Sequence, residues 1–114
     1  MRCEIVLLVE NLDICRYFYR STLKLGEPVF DSNFQVEFLL NRDTFLVLEK
    51  CTSPYLEHSS SACSFMLEVN DLPELIKHLE CECCPVDEAF RTGGKKAFRV
   101  SDPEGNKVLL CQAQ

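Results

Sequence analysis

The chain has 114 residues, of which 46% are hydrophobic and 26% are charged, and its formal net charge is −6. This length suits one domain with one core, and the balance of apolar and charged residues is that of a globular protein rather than a disordered chain. The negative charge argues against nucleic acid as a partner, because phosphate binding needs a clustered excess of Lys and Arg.

The sequence predicts a cytoplasmic protein with no membrane partner. Its longest apolar run, Ile5 to Val9, is far too short to cross a membrane, and the residues before it lack the features of a signal peptide. Thiols stay reduced in the cytoplasm, so the eight cysteines are not interpreted as a disulfide framework. We expect most of them to be small buried hydrophobic residues.

The first half of the chain predicts one strand, one helix and three further strands. A β-branched and apolar run from Cys3 to Val9 is followed by Asn11, a favourable N-cap, and then by apolar residues at helical spacing as far as Leu23. A Gly and a Pro end that helix. Three short strands are predicted after it, at residues 29–31, 34–40 and 44–49.

The same order of elements is predicted again after a Ser-rich connection. Strand 64–69 precedes Asp71 and Glu74, which form a capping box before a second stretch of apolar residues at helical spacing. Because Val9-Glu10-Asn11-Leu12 aligns with Val69-Asn70-Asp71-Leu72, the chain is interpreted as an internal repeat within one domain. The last three predicted strands are 86–90, 96–101 and 107–111, and the repeats are 1–51 and 63–114, joined by connection 52–62.

A turn between the last two strands is specified by the run from Asp102 to Asn106. Pro103 fixes φ, and Gly105 or Asn106 accepts a positive φ. The two flanking strands are therefore expected to pair in one register.

Two motifs, "VENLDICRYFYRSTLKLG" in the first half and "VSDPEGNKVLL" in the second, accompany the repeat. Together they resemble the superfamily of glyoxalases, bleomycin-resistance proteins and ring-cleaving dioxygenases, the vicinal oxygen chelate proteins. The resemblance implies an α+β fold in which two βαβββ repeats form a U-shaped, eight-stranded mixed sheet around a cleft, with one helix backing each half. It also implies a homodimer with two equivalent clefts, each built from one chain or from two.

Enzymes of this superfamily hold a divalent metal in the cleft, and by resemblance the four ligand positions are Glu4, Val47, Ser64 and Leu109. Val and Leu have no lone pair to donate, and Ser is a poor ligand for zinc, nickel or iron. The resemblance therefore implies a dismantled metal site, and we expect no cofactor. A metal held through Glu4 and Glu49 is the alternative.

Strand alternation predicts which side chains line that cleft. If Leu7 and Val9 pack on the first helix, Glu4 points to the opposite side of the sheet, toward the cleft. Lys107 or Arg99 could neutralise Glu49 or Glu68 in a purely structural ion pair. The same parity on the other strands predicts an apolar floor with a carboxylate rim. The predicted cleft residues are Glu4, Val6, Phe45, Val47, Glu49, Ser64, Met66, Glu68, Lys107 and Leu109.

Other chemically active residues receive structural interpretations. The three thiols of Cys81, Cys83 and Cys84 do not have the spacing of a zinc knuckle, so we expect a cysteine-rich edge after the second helix rather than a metal site. His58 and His78 are expected to be exposed rather than catalytic.

These patterns favour a metal-free protein that binds a small cationic or aromatic molecule in its cleft. The alternative is a metal-dependent, glyoxalase-like lyase, isomerase or dioxygenase with an altered site built from Glu4, Glu49 and Glu68. A third interpretation is a surface for protein interaction, since a fold does not fix a function. Whether the chain is an enzyme stays open at this level.

Overall fold

The computed structural model describes residues 1–51, 63–90, 93 and 96–114. The chain divides into two units, Met1–Ser61 and Ala62–Gln114, which we call unit 1 and unit 2. Each unit has its own sheet and its own helical region. In the described part of the chain, no helix is long and apolar enough to cross a membrane.

Unit 1 contains one mixed sheet of four strands. Strand β1 pairs with β4 in parallel, and the β4–β3 and β3–β2 pairs are antiparallel, so the strand order is β1-β4-β3-β2. The elements are β1 (Cys3–Val9), α1 (Leu12–Tyr17), a π-helical segment (Phe18–Thr22), β2 (Phe30–Asp31), β3 (Gln35–Asn41) and β4 (Thr44–Lys50).

Unit 2 repeats this arrangement with the strand order β5-β8-β7-β6, in which only the β5–β8 pair is parallel. Its helix α2 packs on β8 as α1 packs on β4. The predicted α+β fold with two βαβββ repeats and one helix backing each half is therefore confirmed. The elements are β5 (Ser64–Val69), α2 (Leu72–Cys81), β6 (Asp87–Phe90), β7 (Lys96–Ser101) and β8 (Lys107–Gln112).

The helical region of unit 1 begins as predicted but ends differently. The side chain of Asn11 accepts a hydrogen bond from the Ile14 backbone N–H at 3.1 Å, which satisfies one of the free donors at the helix start. After Tyr17 the helix widens into the π-helical segment, whose end is marked by the 2.8 Å bond from the Leu23 N–H to the Phe18 carbonyl. The predicted single α-helix to Leu23 is therefore wrong in its last turn, which still buries Phe18.

Helix α2 is regular and explains the cysteine-rich run that follows it. Asp71 caps its start by accepting from the Glu74 N–H at 3.2 Å. At its end Cys83 has a φ of 57°, and the Cys84 N–H bonds to the Leu79 carbonyl at 2.9 Å. This pattern is a Schellman motif, so the segment is the C-terminal cap of α2. The expectation of a cysteine-rich edge after the second helix agrees with this cap.

The expectation that most cysteines are buried is wrong. In the described part of the chain only Cys15 and Cys111 are buried. The other cysteines are at strand starts, at the end of β4 or in the α2 cap, where the backbone reaches the surface. The exposed ones are Cys3, Cys63, Cys81 and Cys83, and the half-buried ones are Cys51 and Cys84.

The predicted turn between β7 and β8 is present, and its first and last side chains, Asp102 and Asn106, are buried. The carboxylate of Asp102 accepts from the backbone N–H groups of Glu104 and Asn106, at 2.9 and 2.8 Å, and from the Asn106 side-chain amide at 2.9 Å. The Asn106 Oδ1 in turn accepts from the Cys63 N–H at 2.9 Å. Because buried polar groups need hydrogen bonds, this network is what allows the turn to be buried and fixes it to the start of β5.

Candidate functional site

Each sheet has one side facing its helix and one side facing away, which we call the open face. In unit 1 the helix side is identified by Phe38, whose ring lies 6.4 Å from that of Tyr19. Glu4 pairs with Phe45 and Val6 with Val47 on the opposite side. The open face of unit 1 consists of Glu4, Val6, Leu8, Phe30, Gln35, Glu37, Leu39, Phe45, Val47 and Glu49.

Arg2 lies over this open face and contacts three of its residues. The Arg2 Nε donates to the Glu4 Oε2 at 2.9 Å, and its Nη2 lies 3.4 Å from both oxygens of Glu37. The guanidinium carbon is 3.7 Å from the centroid of the Phe45 ring. The Gln35 side-chain amide donates to the Glu37 Oε1 at 3.1 Å. We call Arg2, Glu4, Gln35, Glu37 and Phe45 the Arg2 cluster.

The Arg2 cluster changes the role expected for Glu4. The hydrogen bond with Glu4 is the main cause that raises the pKa of Arg2, so the two groups form a charge-assisted pair. Arg2 is therefore the cation that neutralises Glu4, a partner that the sequence analysis did not name. Lys107 instead donates to the Ser101 Oγ at 2.6 Å.

The positions implied for a metal do not fit one. Val47 is fully buried and offers no donor atom, and Glu4 is engaged by Arg2. The alternative pair, Glu4 and Glu49, is separated along the strands, because Glu4 pairs with Phe45 and Glu49 lies four residues further along β4. Four residues of strand span about 13 Å, which exceeds the reach of two carboxylates that share one ion. Among the described residues no group of three or more His, Cys, Asp or Glu side chains is placed to hold a metal.

The open face of unit 2 is less acidic. Gln112 identifies the helix side, because its side chain bonds to the backbone around the start of α2. Ser64 pairs with Lys107 on the other side, and Met66 pairs with Leu109. The open face of unit 2 consists of Ser64, Met66, Glu68, Asp87, Ala89, Ala97, Arg99, Ser101, Lys107, Leu109 and Cys111.

Apolar side chains on the open face of unit 1 are exposed to solvent. The exposed fractions are 46% for Val6, 40% for Leu8, 49% for Phe30 and 46% for Leu39. Several exposed apolar side chains on one face are typical of a surface that contacts a ligand or a partner. Phe30 and Leu39, like Arg2, Gln35 and Glu37, were not among the residues predicted from the sequence.

A separate pocket of about 510 Å³ lies in unit 1, outside the predicted cleft residues. It is found where β1 and β4 end, beside the start of α1. Its lining combines carboxylate, amide, amine and aromatic groups. These are Glu10, Asn11, Leu12, Asp13, Asn33, Phe34 and Lys50.

The remaining sequence candidates do not assemble into a site. His58 lies outside the described residues. His78 is half-buried rather than exposed, and its Nε2 is 3.9 Å from the Glu82 Oε1 one turn along α2. Burial raises the pKa of the Cys84 thiol, which makes it a weaker nucleophile at neutral pH.

Neither a protein-family model nor a curated protein sequence matches the chain. Solved structures do match over nearly its whole length. A lactoylglutathione lyase from Agrobacterium tumefaciens is 21% identical with a TM-score of 0.78, and the match covers 99% of this chain and 93% of that one. A glyoxalase/bleomycin resistance protein from Catenulispora acidiphila is 17% identical with a TM-score of 0.77, covering 100% and 99%. An antibiotic-binding protein from Streptomyces sp. CB03234, TnmS3, is 22% identical with a TM-score of 0.78, covering 100% and 96%.

The chain therefore has the fold of the glyoxalase and bleomycin-resistance proteins, which is the fold that the resemblance of its two motifs implied. Identities in this range establish the fold, while the chemistry has to be argued from the site.

Proposed function

We propose that this protein binds a small organic molecule, cationic or aromatic, on the open faces of its sheets, and that it does so without a metal ion. The observation that carries the proposal is the exposed apolar surface of Val6, Leu8 and Leu39 beside the Arg2 cluster. Ligand sites are mostly apolar with a few placed polar groups, which is the composition of this face. The antibiotic-binding protein of the same fold is consistent with such a role.

The charge of the open face of unit 1 favours a cation. It carries the carboxylates of Glu4, Glu37 and Glu49 and is contacted by one guanidinium, that of Arg2. Among the described residues, these three carboxylates and one guanidinium give the face a net charge of −2. A site of one sign attracts ligands of the other sign. The residues proposed to contact the ligand are those predicted from the sequence except Val47, which is fully buried: Glu4, Val6, Phe45, Glu49, Ser64, Met66, Glu68, Lys107 and Leu109.

A pair of matched variants tests the binding face. Val6 and Ile14 are both exposed aliphatic residues of unit 1, with 46% and 52% exposure, but Val6 lies on the open face and Ile14 on α1. A panel of planar aromatic compounds, cationic and neutral, is measured by isothermal titration calorimetry. For any neutral compound that binds, V6E should weaken binding about tenfold or more by placing a charge against the apolar part of the ligand, while I14E should leave it unchanged. Equal effects of the two variants would reject the open face as the site.

Metal analysis tests the metal-free part of the proposal. Protein purified without chelator is expected to contain no stoichiometric transition metal. A stoichiometric metal that is lost in Glu4→Ala would instead support the glyoxalase-like enzyme.

We further propose a homodimer, because closed two-fold symmetry is the commonest assembly and the fold is one whose members commonly pair. Light scattering that returned a particle of 13.1 kDa across micromolar concentrations would contradict it.

A further inference from the structure

We infer that the Arg2 cluster is a site for an organic cation, occupied in the free protein by the chain's own guanidinium, and that an amidinium, guanidinium or protonated amine of the ligand takes the place of Arg2. This inference rests on the proposed function and narrows it to a ligand class: an aromatic or apolar body with a terminal nitrogen cation.

The walls of the site are those that recognise organic cations. The Phe45 ring is 3.7 Å from the guanidinium carbon, which is a direct cation–π contact. Glu4 and Glu37 are placed to accept hydrogen bonds from the same group, at 2.9 and 3.4 Å. An aromatic ring offers nothing to a hydrated metal ion but attracts a weakly hydrated, planar guanidinium or amidinium.

The site is also pre-formed by the sheet rather than by Arg2. Glu4 and Phe45 are register partners on β1 and β4, and Glu37 pairs with Val47 on β3. The Gln35 amide holds Glu37 through a 3.1 Å hydrogen bond. Removal of Arg2 would therefore leave an aromatic ring and two carboxylates in place on three neighbouring strands.

Arg2 is more exposed and has longer contacts than Arg16, the other described arginine that bridges two carboxylates. The Arg2 side chain is 48% exposed, precedes the first strand, and has contacts to Glu37 at the long distance of 3.4 Å. Arg16 is 16% exposed and makes three short bonds, at 2.6 Å to Asp13, 2.9 Å to Asp31 and 2.8 Å to the Ser32 carbonyl. Arg16 is a structural tie between α1 and the β2 region, whereas the more exposed Arg2 is the one that a ligand cation can displace.

The neighbourhood of the cluster specifies the rest of the ligand. Leu39 pairs with Phe45 across the β3–β4 ladder, and Val6 is two residues from Glu4 on the same side of β1. Both side chains are 46% exposed. A ligand whose cation lies between Glu4 and Glu37 would place its apolar body on these side chains.

Benzamidine and its neutral counterpart benzamide test the inference, with binding measured by isothermal titration calorimetry. Arg2→Ala removes the internal competitor, so it should tighten benzamidine binding about tenfold and leave benzamide unchanged, since a cation–π contact with two carboxylates at a half-exposed site is worth about one power of ten. Lys77→Ala, which removes one positive charge from an exposed position on α2, is the control for net charge and should change neither. Arg2→Gln repeats the test with a longer neutral side chain, and circular dichroism verifies folding.

A second substitution assigns the effect to the cluster. In the Arg2→Ala background, Glu37→Gln should abolish the gain for benzamidine. Unchanged or weaker benzamidine binding in both Arg2 variants would overturn the inference, as would a gain that survives Glu37→Gln.

The outcomes also separate this inference from the proposed function. If aromatic compounds lose affinity in V6E but bind Arg2→Ala as they bind the wild type, the open face is supported as the binding surface. The same result, with benzamidine included, would overturn the cation site. If benzamidine binding depends on Glu37 but V6E leaves the binding of the aromatic panel unchanged, the cation site is supported. That result would count against the wider open face as the binding surface.

Discussion

Units 1 and 2 correspond at the ends of their parallel strands, where Val9 pairs with Lys50 and Val69 pairs with Gln112. In unit 2 the Gln112 side chain accepts from the Leu72 N–H at 2.9 Å and donates to the Asn70 carbonyl at 2.6 Å, which joins β8 to the start of α2. In unit 1 the corresponding Lys50 has no acceptor atom to offer, and it lines the pocket of about 510 Å³. The side chain at this register position therefore makes hydrogen bonds to the helix start in unit 2 and lines a pocket in unit 1.

The turns before the last strands of the two units differ in the same way. In unit 1 the start of β1 is held to the turn by backbone alone, through the Cys3 N–H and the Asp43 carbonyl at 2.8 Å. In unit 2 the start of β5 is held by the buried side chain of Asn106, which depends on Asp102. The comparison shows that unit 2 is closed by side chains at both ends of its parallel pair, where unit 1 uses the main chain or leaves an opening.

The largest difference in stability between matched variants of the two units is expected at the turns before β8 and β4. Asp102→Ala should lower the free energy of unfolding by about 2–4 kcal/mol, because it leaves two backbone donors and the Asn106 amide buried without their acceptor. Asp43→Ala, at an exposed position of the other turn, should change stability by less than about 0.5 kcal/mol. Urea unfolding followed by circular dichroism measures both. Similar losses in the two variants would break the comparison.

A smaller effect is expected at the strand end. Gln112→Ala should cost about 1 kcal/mol, because the Leu72 N–H at the start of α2 loses its side-chain acceptor. Lys50→Ala is the matched variant and should lie within about 0.5 kcal/mol of the wild type. A loss for Lys50→Ala as large as that for Gln112→Ala would show that the amide bonds are not what distinguishes the two positions.

Placing in unit 1 the glutamine that unit 2 has at this position tests the same comparison. Lys50→Gln should raise stability by about 0.5 kcal/mol, because a Gln at this register position can bond to the Leu12 N–H and the Glu10 carbonyl. Protection of the Leu12 amide from hydrogen exchange should rise with it. Unchanged hydrogen exchange at Leu12 together with unchanged stability would show that a Gln at position 50 does not form these bonds.

The smallest expected effect concerns the cap of α2. Cys84 should react with a thiol reagent about two- to fivefold more slowly than the exposed Cys81 and Cys83, because its raised pKa lowers the thiolate fraction at a given pH. Its modification should therefore increase at a more alkaline pH than that of an ordinary thiol. Peptide mass spectrometry after brief labelling measures the order in which the three cysteines react. Labelling of Cys84 before Cys81 and Cys83 would contradict the burial that raises its pKa.

Local sequence patterns predicted much of the fold because their causes are local. Alternation and β-branched residues gave the bounds of β1, β5 and β7 as they are observed, and the caps at Asn11 and Asp71 each act over three residues. The π-helical segment after Tyr17 was missed, because apolar residues at helical spacing do not distinguish it from a regular last turn.

For the candidate site the sequence alone determined the parity of each strand, and therefore that Glu4, Val6 and Val47 share a face. It also contained a signal that was not used: Arg2 and Glu4 are two residues apart and so lie on one side of an extended chain. What only the tertiary structure decided is that Glu37, on a strand far along the sequence, meets this pair and that Phe45 lies beneath it. Such contacts depend on the pairing register of three strands, which loop geometry and packing set together and which no single segment encodes.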